Sequence, residues 1–205
     1  DPAAYPFAKV AQRAAGWRPE LVLHVGDFHY RETRCPAGNK GCAGSPWGYG
    51  WDTWQADLFD PAKPLLAAAP WAVVRGNHEN CFRAGQGWHR FLDVQPFVAG
   101  RDCDDPANDR IGDDSPVIAI PLGGGAQIVI PDLAFADDRK PTRPGAPELA
   151  AFETAYRRIA ALSADAKFTF LAIHKPILGF GAYQAGKDVR LFGGNQGLQD
   201  QLYGP

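Results

Sequence analysis

Several features that define other protein classes are missing from this 205-residue sequence. It contains no methionine and opens at Asp1-Pro2, which predicts that an upstream segment has been removed, by processing or because the chain is a fragment. No apolar run approaches the ~20 residues that a membrane-spanning helix needs. The net charge is only -2, so bulk charge does not favour binding to nucleic acid or to an anionic membrane. What remains is an ordinary globular composition, and the length favours a single domain over residues 1–205.

The four cysteines all lie in loop-like sequence, and no Cys-x-x-Cys pair is present. An even number predicts disulfides and an oxidising compartment, so we expect a secreted or periplasmic protein. Three pairings are possible. We favour Cys35–Cys42 and Cys81–Cys103, because each would close one irregular segment. Four reduced thiols are the alternative, and zinc binding is less favoured without a Cys-x-x-Cys pair.

Hydrophobic spacing predicts alternating helices and strands. Helical spacing occurs over residues 4–15, over 51–69 with breaks at Pro61 and Pro64, and over 147–163. Short apolar runs at 21–25, 71–74 and 168–173 predict buried parallel strands. Residues 117–122 and 127–131 predict a hairpin, while 27–50, 80–114 and the glycine-rich tail from 179 read as irregular. This order predicts a layered α/β fold.

Polar residues follow the three predicted buried strands directly. Asp27 follows the first, Asn77 and His78 follow the second, and His174 follows the third. In open α/β sheets, functional sites gather at the carboxyl ends of strands. Carboxylate, amide and imidazole groups together suit iron, manganese or zinc. Two such ions can hold a phosphate group and supply a hydroxide nucleophile, so the pattern predicts a two-metal phosphoesterase site.

The order and spacing of these residues resemble a known family over roughly residues 20–176. The chain is similar to the calcineurin-like metallophosphoesterases in three motifs, Gly26-Asp27, Gly76-Asn77-His78-Glu79 and Ile173-His174. The resemblance implies a layered sandwich of mixed β-sheets flanked by helices. It also implies hydrolysis of small phosphorylated substrates by a metal-bound hydroxide at a two-metal site of iron, zinc or manganese.

The resemblance also implies individual roles. Asp27 would bridge the two metal ions, and Asn77 and His174 would bind the second one. His78 would not be a ligand but would donate a proton to the leaving group. Glu79 would orient His78 or simply complete the turn.

Tyr30 narrows the resemblance further. The pattern Gly-Asp-x-x-Tyr resembles the purple acid phosphatase branch, in which that tyrosine binds ferric iron, so Tyr30 is a ligand candidate and phosphomonoesters are the favoured substrates. A loop tyrosine packed on the tryptophan-rich segment is the alternative. Phosphodiesters and nucleotides are the alternative substrates.

The chain departs from the family pattern at the first and the last motif. Asp27-Phe28-His29 has the letters of the first family motif, Asp-x-His, but no Gly-Asp lies between it and Gly76, so we assign Asp27 to the second motif and expect His29 beside the site. No Asp-x-His precedes residue 20 and no histidine follows His174. The sequence therefore predicts a chain truncated at both ends, or else a non-catalytic relic that binds a partner.

Overall fold

The computed structural model describes residues 5–98, 100, 103–105, 114–136 and 147–203, with backbone alone at 147, 148, 183, 185 and 203. The chain divides into two compact units, residues 1–115 and 116–205, which are described separately. Helices and strands alternate in both, so the predicted mixed α/β class is confirmed. Within the described ranges, no helix combines the length and apolarity that crossing a membrane requires.

The first unit is built around two short parallel strands and the helices that follow them. The strands pair from Val22 opposite Trp71 to His24 opposite Val73, so their carboxyl ends lie at the same edge. The elements are α1 (Phe7–Gly16), β1 (Val22–His24), α2 (Trp51–Trp54), a π-helical segment (Gln55–Phe59), α3 (Asp60–Leu66), β2 (Trp71–Val73), a 3-10 turn (Asn77–Glu79) and α4 (Gly85–Phe91).

The helix predicted over 51–69 is not broken at Pro61 and Pro64, so that prediction is wrong. The chain stays helical from Trp51 to Leu66, and a π-helical segment precedes the prolines. Pro61 lies in the first turn of α3, where a missing N–H leaves no hydrogen bond unmade. The wider π-helical turn changes the hydrogen-bond register before the prolines, as such turns do elsewhere.

Helix α4 was missed by the prediction of an irregular stretch over 80–114, of which residues 99, 101–102 and 106–113 lie outside the described residues. Gly85 and Gly87 weaken the helical pattern in the sequence, but close packing leaves no room for a side chain at position 87. A Cβ on Gly87 would lie 2.0 Å from the indole nitrogen of Trp54. Trp88 of α4 joins Phe28, Trp54 and Leu58 in the core of the unit, so burial stabilises a helix of low propensity.

The second unit is a three-stranded sheet, a long helix, a hairpin and a final helix. The predicted hairpin of β3 and β4 is confirmed, with Ile118 opposite Ile130, and β5 pairs with β4 in parallel. Helix α5 packs against β4. The elements are β3 (Ile118–Gly123), β4 (Ala126–Ile130), α5 (Pro147–Ala164), β5 (Phe168–Leu171), β6 (Gly181–Ala185), β7 (Asp188–Phe192) and α6 (Gln196–Tyr203).

Two predictions for this unit are wrong. The strand predicted as buried over 168–173 has Phe168 55% and Phe170 59% exposed, because side chains two positions apart share one face of a sheet and a short apolar run does not tell which face is covered. The tail from 179, expected to be only weakly patterned, forms the antiparallel pair β6–β7 and α6. Leu198 of α6 is fully buried in a core with Leu133 and Phe152.

Candidate metal centre

The segments that follow β1 and β2 meet at the shared edge of the first unit. After β1 the backbone turns sharply, with φ of 97° at Gly26 and 58° at Asp27. A left-handed conformation is uncommon for a residue with a side chain, and such residues concentrate at functional sites. The turn aims three successive backbone N–H groups, those of Asp27, Phe28 and His29, at one carboxylate. This is a concave anion-binding arrangement of backbone amides.

The carboxylate is that of Glu79, from the turn after β2. Its Oε1 accepts hydrogen bonds from the N–H groups of Phe28 at 2.8 Å and His29 at 3.2 Å. Its Oε2 accepts from those of Asp27 and Gly76, both at 3.0 Å. We call these four hydrogen bonds the Glu79 bridge. It joins residues that are 50 to 52 positions apart in the sequence and fixes the backbone of Asp27.

Glu79 is fully buried, and burial raises the pKa of its carboxyl group to about 7, against the opposing effect of the backbone N–H groups. The prediction offered Glu79 as a partner of His78 or a turn residue. In the structure, the Glu79 side chain instead accepts hydrogen bonds from the loop after β1. Gly76 makes this approach possible, since a Cβ there would lie 2.3 Å from both the backbone nitrogen and Oδ1 of Asp27.

Both oxygens of the Asp27 carboxylate accept hydrogen bonds. Oδ1 accepts from the backbone N–H of His78 at 3.2 Å, and Oδ2 accepts from the hydroxyl of Tyr30 at 2.9 Å. Two oxygen ligands at right angles on one ion, each at ~2.0–2.1 Å, lie about 3 Å apart. The spacing of the Asp27 and Tyr30 oxygens therefore fits two ligands of a single small cation. Asn77, the third predicted ligand of this unit, begins the same 3-10 turn as His78.

Tyr30 lies against the site and not on the tryptophan-rich segment. Its ring centroid is 4.3 Å from that of His78, and the residue is 51% exposed. Partial burial, with the hydrogen bond to Asp27 next, raises the pKa of the phenol. The backbone here is held by Asp57, whose Oδ2 accepts from the N–H groups of Tyr30 at 2.8 Å and Arg31 at 3.0 Å.

His78 is oriented by its surroundings. Its Nδ1 lies 3.0 Å from the carbonyl oxygen of His29 and 2.7 Å from Oε1 of Glu32. These two neighbours are acceptors, whereas the guanidinium of Arg83 beside the same nitrogen is a donor, so three partners hold the ring. The other ring nitrogen, Nε2, lies 3.8 Å from Oδ2 of Asp27. The ring therefore presents Nε2 to the carboxylate predicted to bind metal, which is the orientation needed for proton transfer there.

His29, expected beside the site, is instead a buried structural residue. Its Nε2 lies 2.9 Å from Oγ1 of Thr53, whose hydroxyl donates to the carbonyl of Gly50. The hydroxyl therefore accepts from His29, which fixes Nε2 as the protonated nitrogen. Burial lowers the pKa of this histidine. It contributes to the site through its backbone, by the N–H given to Glu79 and the carbonyl facing His78.

Two charged residues outside the three motifs adjoin His78. The guanidinium Nη2 of Arg83 lies within 2.9 Å of both ring nitrogens of His78 and 2.5 Å from Oε1 of Glu32. Arg83 follows the 3-10 turn closely, and its place beside the Gly76 motif in the sequence is what makes it a candidate for contact with phosphate. Glu32 follows Tyr30 by two positions and was not singled out from the sequence.

His174 belongs to the second unit, three residues beyond β5, and is partly buried. Asp132 lies just beyond β4, the parallel neighbour of β5, and was missed by the motif analysis. It is 6% exposed and its Oδ1 accepts from the N–H of Ala134 at 3.1 Å. A buried carboxylate at the end of a strand, as Asp27 is at the end of β1, is the signal that could have indicated it.

Both predicted disulfides are present. Cys35–Cys42 closes part of the loop after β1, and Cys81–Cys103 begins two residues after Glu79. No free cysteine occurs in the described part of the chain. Two disulfides are consistent with an oxidising compartment.

One of three comparisons with known proteins identifies a family. The family model of the calcineurin-like phosphoesterases matches residues 3–198. Searches of curated proteins and of solved structures gave no match. The family match covers nearly the whole sequence and includes every motif from Gly26-Asp27 to His174. The chain therefore belongs to the calcineurin-like phosphoesterases, a family of hydrolases that use metal ions to cleave phosphate esters.

Proposed function

We propose that this chain hydrolyses phosphate monoesters at a two-metal centre. Asp27 is the bridging ligand, Tyr30 and Asn77 are further ligands, and His78 is the proton donor. One observation carries the proposal. The Tyr30 hydroxyl lies 2.9 Å from Oδ2 of Asp27, with the ring of His78 directly against the tyrosine. A phenol oxygen beside a bridging carboxylate is the feature that favours the purple acid phosphatase type of centre.

The residues divide the work between binding and proton transfer. The carboxylate, phenol and amide oxygens of Asp27, Tyr30 and Asn77 are hard donors that suit iron, manganese or zinc. When bound, such ions neutralise phosphate charge and supply a hydroxide at neutral pH. In the imidazolium form of His78, Nδ1 faces the acceptors of His29 and Glu32, and Nε2, the nitrogen nearer Asp27, gives its proton to the leaving oxygen.

A cavity beside Asp27 and Tyr30 is large enough for a small substrate. It has a volume of about 860 Å³ and is lined by residues of the first unit that include Asp27, Tyr30, Phe28 and Arg34. Ligand cavities of ~300–1,000 Å³ take drug-sized molecules. The near-neutral charge of the chain favours such substrates over long nucleic acids.

Three parts of the proposal rest on sequence alone. His174 is included as a ligand of the second metal because of its place in the family motif order. The whole of residues 1–205 is taken as one catalytic domain. The two disulfides favour a secreted or periplasmic location.

The test combines metal analysis with two model substrates. Protein purified without chelators should hold about two transition-metal ions per chain and should cleave p-nitrophenyl phosphate faster than bis(p-nitrophenyl) phosphate. The reverse preference would favour a phosphodiesterase. Bound metal without either activity would favour the non-catalytic alternative. If the centre is ferric, Tyr30→Phe should abolish the visible charge-transfer band, whereas an unchanged spectrum would remove Tyr30 from the ligand set.

A further inference from the structure

We infer that Arg83 binds the phosphoryl group of the substrate, and that Glu32 occupies the anion position on Arg83 and His78 that this group takes over. The inference deepens the proposed function and rests on it for the identity of the ligand as a phosphate. It rests on its own observations for the residues that bind it.

Glu32 shows where an anion binds. One carboxylate oxygen, Oε1, lies 2.5 Å from Nη2 of Arg83 and 2.7 Å from Nδ1 of His78. A guanidinium donates hydrogen bonds to carboxylate and phosphate oxygens with the same geometry, so a site that holds one can hold the other. The position is also beside the reacting groups, because the same His78 ring presents Nε2 to Asp27.

Arg83 is built into this position by the turn that carries the family motif. Its backbone N–H donates to the carbonyl of Asn80 at 3.0 Å, and its Nη1 lies 3.5 Å from the carbonyl oxygen of Asn77. The Cys81–Cys103 disulfide anchors the segment two residues before Arg83. The guanidinium therefore stays next to Asn77 and His78 whether or not a carboxylate occupies its other side.

Arg83 is more exposed to solvent than Arg75, the other arginine beside the Gly76-Asn77-His78-Glu79 motif. Arg75 is 2% exposed, and its Nε donates to the carbonyl of Glu79 at 2.8 Å while its guanidinium lies over the ring of Trp88. The side chain of Arg83 is 26% exposed and that of Glu32 is 20% exposed. Solvent, and hence a dissolved phosphate, reaches Arg83. Arg75 is part of the framework.

The loop after β1 determines where Glu32 lies. Asp57 accepts the backbone N–H groups of Tyr30 and Arg31 and pairs with the Arg31 side chain at 2.6 Å. The backbone that leads to Glu32 is therefore fixed, while its carboxylate reaches the site at the end of a flexible side chain. A phosphate dianion on Arg83 meets this carboxylate as a like charge, so binding requires Glu32 to swing away.

Equilibrium binding of inorganic phosphate tests the inference without relying on turnover. On metal-loaded protein, calorimetric titration should give a Kd about 10- to 100-fold weaker for Arg83→Ala, as expected for loss of a charged hydrogen-bond donor. Arg83→Lys should recover part of the affinity, because it keeps the charge but loses the planar fork. Glu32→Gln should bind phosphate about 3- to 10-fold more tightly, because the competing charge is gone.

The control variant is Arg90→Ala, which removes an exposed arginine of the same unit that pairs with Asp104. It should leave phosphate affinity unchanged, and all variants should keep the metal content of the unaltered protein. Equal phosphate affinity in Arg83→Ala and the unaltered protein overturns the inference even when monoesters are hydrolysed. Weaker phosphate binding in Glu32→Gln overturns the competing role of Glu32. Absence of hydrolysis with the expected phosphate affinities would count against the proposed function alone.

Discussion

Each unit contains two neighbouring parallel strands, β1 and β2 in the first and β4 and β5 in the second. In both, a buried or partly buried carboxylate follows one strand, Asp27 after β1 and Asp132 after β4. The two carboxylates accept hydrogen bonds from donors at different distances along the chain. Asp27 accepts from the N–H of His78, 51 positions away, and Asp132 accepts from the N–H of Ala134, two positions away.

The first unit also concentrates the other constraints. All four cysteines and all six tryptophans precede residue 116, so both disulfides belong to this unit. A segment fixed by distant partners can hold a left-handed residue such as Asp27, because the surrounding contacts offset the strain. The comparison shows that contacts between distant parts of the sequence hold the loop that carries Asp27.

The two histidines, one from each unit, give the largest expected difference. His78→Ala should lower kcat about 100- to 10,000-fold with the metal content unchanged, because its proposed role is proton transfer. His174→Ala should lower the metal content, because its proposed role is ligation. Metal analysis beside kcat on p-nitrophenyl phosphate distinguishes them. An equal loss of metal in both variants would contradict the division of roles.

Glu79→Gln should be the most destabilising substitution in the first unit. An amide offers one oxygen, so at least two of the four N–H groups in the Glu79 bridge lose their acceptor. At ~1–3 kcal/mol for each buried unsatisfied donor, the loss is roughly 2–6 kcal/mol. Tryptophan fluorescence reports this unit alone, because every tryptophan lies in it. A thermal transition unchanged from that of the unaltered protein would show that the bridge is not required.

Much of this geometry follows from residues visible in the sequence. The strand ends, the Gly76 motif and the disulfide pairs were predicted because each depends on local pattern or on the few available partners. The Glu79 bridge was not predicted, because nothing local to Glu79 indicates that its carboxylate reaches residues 27 to 29. The contact of Glu32 with Arg83 was missed for the same reason.

The failures in the fold have a similar cause. Helix α4 was missed because Gly85 and Gly87 lower helix propensity, while the packing of Gly87 against Trp54 depends on a segment 33 positions earlier. The exposure of Phe168 and Phe170 could not be predicted from an apolar run, since the run does not show which face of the sheet is left uncovered.

Gly76→Ala tests the close approach of the two loops with a smaller expected effect. The added methyl group would lie 2.3 Å from two atoms of Asp27, and the backbone at Gly76 is otherwise compatible with alanine, with φ of -96°. Displacement of a packed neighbour costs ~1–3 kcal/mol, and the shift of Asp27 should lower the metal content. The matched control is Gly16→Ala at the end of α1, where the added methyl group would meet no atom within 4 Å. If both variants unfold at the same temperature and keep their metal, the approach is not constrained.

Asp132→Asn should have the smallest effect and completes the comparison with Glu79→Gln. Both replace a buried carboxylate by an amide, but asparagine keeps the Oδ1 that accepts from the N–H of Ala134. The contact with Ala134 should therefore be kept, and we expect its contribution to change by less than about 1 kcal/mol. Hydrogen exchange followed by mass spectrometry should show little acceleration in peptides covering β4 and β5, against clear acceleration around β1 in Glu79→Gln. Equal acceleration in the two variants would mean that Asp132, like Glu79, holds a distant segment, and the contrast between the units would then fail.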